Sequence, residues 1–223
     1  FVSCLSIPLL AFAIFGISLL FPDVYFSPEM KGMFEWFKDA LTPEQFTDMK
    51  EQMKDFPVHP IWLAVLQGLI AGPTVNAIAG FGEEAGWRGL LIKELSGGNF
   101  WTVSVITGFI WGVWHAPLIA MGHNYPQHPI AGIFMMIIWC ILLAPLFTYI
   151  RIKTNSVIGP AILHGTLNSS AGIAIMLVAG GSDLTIGMTG LAGFIVLFIA
   201  NVFMYWYDTK IDNDSIIKMP VQV

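Results

Sequence analysis

Six stretches of this chain, 5–21, 61–80, 100–121, 130–150, 157–179 and 184–207, contain no Asp, Glu, Lys or Arg. A transmembrane helix needs about 20 apolar residues, whereas a barrel strand alternates apolar and polar over about 10. The runs here are unbroken, so they specify helices. Composition agrees: 56% of residues are hydrophobic and 11% charged, against about 25% charged in a soluble domain, and mean hydropathy is +0.71. The expected fold is an all-α polytopic helical bundle of about six transmembrane helices, a single domain over 1–223, multi-pass in the plasma membrane. A net charge of −5 argues against nucleic acid as a partner. Cys4 and Cys140 both sit in apolar runs, which predicts free, buried thiols. Because the chain is already apolar at Phe1, further sequence is expected before it.

Residues 22–60 form the one long polar segment, with 8 acidic and 4 basic residues. Ser27-Pro28 and Thr42-Pro43 each offer an N-cap followed by proline, and Thr42 with Gln45 fits a capping box. Met30, Phe34, Phe37 and Leu41 share a face of the first short helix, and Phe46, Met49 and Met53 a face of the second. Two helices lying on the membrane surface are expected; a lid over an active site is the sharper alternative. Gly72-Pro73 interrupts the run that begins at 61, and the helical pattern then continues to about Leu95. Ser96-Gly97-Gly98-Asn99 reads as a stop and turn. The tail after Asp208 reads as polar and frayed.

Arg88, Lys93, Arg151, Lys153, Lys210 and Lys218 fall on one side of the alternating spans. Lys31, Lys38, Lys50 and Lys54 fall on the other, all in the long polar segment. The short loops 122–129 and 180–183 carry no Lys or Arg, so the first side is cytoplasmic.

The runs hold three polar intrusions. Glu83-Glu84-x-x-x-Arg88 places two carboxylates inside a hydrophobic helix, where an ionised group costs several kcal/mol, roughly, unless it is paired, hydrated or used. Glu84 and Arg88 are i, i+4 and can neutralise each other. That leaves Glu83 with no local partner; Asn76, seven residues earlier, shares its face. Glu83 lies about 22 Å from the Gly97-Gly98 turn and His115 about 25 Å, at 1.5 Å per residue. An antiparallel hairpin brings them level. His164 and Asn168, also i, i+4, enter from the next cytoplasmic turn. The four residues would line one cavity. The plainer alternatives are a satisfied interhelical histidine at 115 and an Asn168 that joins two helices. His59, His123 and His128 read as loop residues.

In order and spacing, Glu83-Glu84-x-x-x-Arg88, Trp111-x-x-x-His115 and His164-x-x-x-Asn168 resemble the motifs EExxxR, FxxxH and HxxxN. These belong to the CAAX protease and bacteriocin-processing family of type II CAAX prenyl endopeptidases and abortive-infection proteins. Trp111 stands where the family has Phe. The resemblance covers roughly 75–175 and implies a four-helix catalytic core within 61–180. Residues 1–60 then form an N-terminal span and an extramembrane segment, and 181–223 the last span and tail.

The resemblance implies an intramembrane endopeptidase. Glu83 with His115 would activate water, His164 and Asn168 would donate to the oxyanion, and Glu84 and Arg88 would support the helix. The expected partners are the lipid bilayer and a membrane-associated peptide or protein substrate, lipid-modified or not. No cofactor is expected. The rival is a metalloendopeptidase-like zinc site of Glu83, His115 and His164 with an open water position. Outside proteolysis, the alternatives are a non-catalytic bacteriocin-immunity or scaffold protein, and an ion-coupled transporter.

Overall fold

The computed structural model describes residues 1–37, 42–54 and 57–223, without the side chains of Trp36, Phe37 and Lys54. Lys38, Leu41 and the side chain of Phe37, which figured in the expectations above, lie outside the described set. Helix α1 is Val2–Ser18; strand β1, Tyr25–Phe26, follows it. The polar segment forms α2, Lys31–Phe37, and α3, Pro43–Lys54. The next helix, α4, runs from Pro60 to Glu94, and α5 spans Phe100–Ala120. Then come α6, Pro129–Thr154; α7, Ile158–Ser170; α8, Ile173–Met176; β2, Val178–Ala179; and α9, Leu191–Lys210.

Among the described residues, α4, α5, α6 and α9 are long and apolar enough to cross a membrane. The other two of the six expected runs are shorter. Helix α1 has 17 residues. The run 157–179 divides after α7 at Ala171-Gly172, passes through α8 and ends in β2. The fold is an all-α membrane bundle, and the protein is a multi-pass membrane protein.

Local chemistry sets the helix ends. His59 caps α4, its Nδ1 accepting from the Ile61 N–H ahead of Pro60. Asn99 caps α5 by accepting from the Trp101 and Thr102 N–H groups. Helix α6 ends at Asn155, which adopts the left-handed conformation. Thr42 and Gln45 form the reciprocal capping box at α3. Gly72-Pro73 does not break α4. Proline lacks an N–H, and the helix absorbs this with a π turn over Gly72–Asn76, closed by Asn76 N–H on Ala71 O at 2.9 Å. A second π turn spans Ala85–Leu91.

Small residues set the packing that positions the site. A Cβ at Gly165 of α7 would overlap the α4 backbone at Gly72 and Ala77, and one at Gly80 would press on His164. Helices α4 and α7 therefore meet backbone to backbone, as glycine allows within a bilayer. Gly108 and Gly112 bring α5 equally close to Cys140, Ile141 and Ile137 of α6.

Two expectations outside the core change. The tail does not fray: Ile217 and Val221 are buried, and Val221 pairs through its backbone with Gly97 and Gly98. Buried Asp208 gathers it by accepting from Ser215 Oγ and the Ile216 and Ile217 N–H groups. Helices α2 and α3 pack on each other through Phe34 and Phe46, 6.0 Å apart edge to face. A cavity of about 780 Å³ lies between them and the Pro60 end of α4. Glu83 is roughly 35 Å further along that helix at 1.5 Å per residue, so the pair does not cover it. Cys4 and Cys140 are both free, but only Cys140 is buried.

Candidate active site

Glu84 and Arg88 form the floor. Both side chains are fully buried, with Arg88 Nη1 3.1 Å from Glu84 Oε1. The guanidinium lies between two aromatic faces, 4.5 Å from the Trp111 ring centre and 4.4 Å from that of Phe147. Such cation–π contacts strengthen when the charge is desolvated. Arg151 of α6 donates from Nε to the Arg88 carbonyl at 3.0 Å, within the π turn. The expected i, i+4 pair is present, and it is anchored from two neighbouring helices.

His164 stands on that floor. Its Nδ1 is 2.8 Å from Glu84 Oε1, the oxygen that also receives Arg88. A carboxylate paired with Arg can only accept, so Nδ1 carries the proton. That leaves Nε2 as the nitrogen facing Glu83 Oε1, at 3.9 Å.

Glu83 occupies the upper position, its side chain 32% exposed. The partner that the sequence did not reveal is Trp111, whose Nε1–H donates to Glu83 Oε2 at 3.3 Å. One turn along α5, His115 is half-buried, and its Nδ1 is 2.9 Å from the Trp111 carbonyl. A carbonyl only accepts, so Nδ1–H donates and Nε2 keeps the lone pair in the neutral ring. Asn168, one turn beyond His164, is exposed and makes no side-chain hydrogen bond among the described residues.

The structure thus joins Glu84, Arg88 and His164 directly, sets Glu83 3.9 Å from His164, and links His115 to Glu83 through Trp111; among the described residues Asn168 bonds to none of them. Asn76 packs its backbone on Gly165, and its side chain makes no hydrogen bond among the described residues. Sequence reasoning also missed the Glu84–His164 bond and the roles of Phe147 and Arg151. The contacts join residues far apart in the chain, and nothing local announces them. His59 also contacts the Pro28 carbonyl, and His128 pairs with buried Asp183 at 2.6 Å, so these two clamp loops.

The description "type II CAAX prenyl endopeptidase Rce1-like" matches residues 58–170, just over half of the 223. The chain belongs to this family. No curated protein and no solved structure matches. The matched span of this Rce1-like protein runs from the start of α4 to the end of α7 and holds every motif residue above. Membership of an endopeptidase family identifies the chain as a CAAX-type membrane protease at family level. It gives no support to a metalloendopeptidase reading. Among the described residues no three His, Cys, Asp or Glu side chains are grouped to hold a metal. Glu83, His115 and His164 are not so grouped.

Proposed function

We propose that this Rce1-like protein hydrolyses a peptide bond within the cytoplasmic half of the bilayer, using a water activated by Glu83 and His115. The observation that carries the reading is the division of labour between adjacent carboxylates. Glu84 is buried and committed to Arg88 and His164, whereas Glu83 is partly exposed and held by one neutral donor.

A carboxylate with one oxygen held and the other open can take a proton from water. His115 offers its Nε2 lone pair as the second acceptor. The hydroxide attacks the scissile carbonyl carbon, and the carbonyl oxygen becomes the oxyanion. Asn168 donates to it from the side-chain amide. His164 donates from Nε2 when the ring carries both protons, because Nδ1–H is committed to Glu84. Collapse of the tetrahedral intermediate breaks the C–N bond, and the proton taken up by Glu83 passes to the leaving amine. The substrate is a membrane-associated peptide, and the family description makes a prenylated CAAX sequence the first to try.

The test is cleavage of an internally quenched CAAX peptide, farnesylated or unmodified, by purified wild type and Glu83→Gln. Wild type should cleave and the variant should lose about 10²- to 10⁴-fold, what removal of a catalytic base typically costs. Equal turnover by both proteins would overturn the reading. Preference for the farnesylated peptide would identify the lipid as part of the recognised group.

A further inference from the structure

Trp111 stands where the family pattern has Phe, and packing alone would explain an aromatic residue there. The geometry gives it more. Its indole N–H makes the only hydrogen bond to the Glu83 side chain among the described residues, at 3.3 Å, and its carbonyl receives His115 Nδ1 at 2.9 Å. The ring is 1% exposed. Arg88 covers one face, and Phe147 and His164 lie 5.6 Å away centre to centre. An indole confined in this way cannot turn away from its acceptor.

We infer that Trp111 is a positioning residue for the water-activating pair, its side chain holding Glu83 and its backbone holding His115. The inference rests on the proposed role of Glu83 as base. A glutamate on a helix has three freely rotating torsions, and the next contact of Glu83, His164 Nε2 at 3.9 Å, lies beyond hydrogen-bond reach. The indole N–H pins Oε2 and so leaves Oε1 to meet water. Phenylalanine leaves a ring at the position but is smaller and donates nothing. Positioning of this kind acts on the transition state rather than on substrate binding, because it fixes the approach of the base.

Trp111→Phe separates the two functions of the residue. It keeps a ring over Arg88 and the carbonyl for His115, and removes the N–H together with part of the indole. With the farnesylated quenched peptide, the variant should lose about 10- to 100-fold in kcat, the range expected for a lost bond to a charged group, with KM within about threefold. Heat stability should fall modestly, because the smaller ring leaves a cavity at a buried site. Wild-type kcat in Trp111→Phe, beside an inert Glu83→Gln, would overturn the positioning role alone. Loss confined to KM would overturn it too. Full activity in Glu83→Gln would instead remove the reading on which it rests.

A second readout does not need turnover. With ¹⁵N-indole-labelled protein in micelles, the side-chain resonance absent from Trp111→Phe belongs to Trp111. That resonance should move in Glu83→Gln, where a neutral acceptor replaces the carboxylate. An unmoved resonance would show that no such bond exists.

Discussion

Replacing Arg88 with methionine is the sharpest test of the buried floor. The guanidinium is fully buried, bonded to Glu84 at 3.1 Å and flanked by two rings at about 4.5 Å. Methionine refills much of the space but strands the Glu84 carboxylate, whose Oε2 already lacks a protein partner among the described residues. Removing one member of a buried pair costs about 3–5 kcal/mol, because the remaining charge stays in a medium that cannot solvate it. His164 still donates to Glu84, which places the cost near 3 rather than 5, roughly. Adding Glu84→Gln removes the stranded charge, so the double variant should be more stable than Arg88→Met by about 1–2 kcal/mol. The coupling between the two sites should reach about 2 kcal/mol. Arg88→Lys should fall between wild type and Arg88→Met, since an ammonium keeps the charge but not the planar fit between rings. Reversible unfolding in mixed micelles, followed by helical circular dichroism, measures wild type and the four variants. Additivity of Glu84→Gln and Arg88→Met to within about 0.5 kcal/mol would refute the pairing as the source of stability.

Two further outcomes follow from the site and the tail. Exhaustive chelation, with metal analysis of the purified protein, should leave peptide cleavage intact; loss of cleavage that zinc restores would contradict the Glu83–His115 mechanism. At the tail, the Lys153 ammonium, 2.8 Å away, holds the Asp212 carboxyl below the usual carboxylate range, with help from the Asp214 backbone N–H. A carboxyl whose folded pKa is depressed stabilises the docked tail fully above the usual range, and that contribution is lost as pH falls through its lowered folded pKa. Proteolysis of residues 211–223 should therefore rise in acid, and Lys153→Met should flatten the dependence.

The legible part of the site was the part written in one helix. Glu84 and Arg88 are four residues apart and so announce their own pairing. His164 and Asn168 likewise declare a shared face. The bonds that complete the arrangement cross the bundle: Trp111 to Glu83, His164 to Glu84, Arg151 to the Arg88 carbonyl. Their formation depends on how closely α4, α5, α6 and α7 approach, which Gly80, Gly108, Gly112 and Gly165 decide. Hydropathy marks those glycines only as apolar. The same limit explains the span count. Hydropathy measures a run's length, not its backbone path, so 157–179 reads as one span although β2 pairs with β1. The tail looked frayed because polar and charged residues are scattered through it, and nothing in the sequence marks Ile217 and Val221 as the residues that seat it.

The account turns on a single water shared by an acid and an imidazole. An experimental structure resolving ordered solvent at this site tests that most directly. The account predicts one water within about 2.6–3.2 Å of both Glu83 Oε1 and His115 Nε2, with Trp111 Nε1–H on Glu83 Oε2. A structure in which no single water reaches both side chains, with or without a bound peptide, would contradict it.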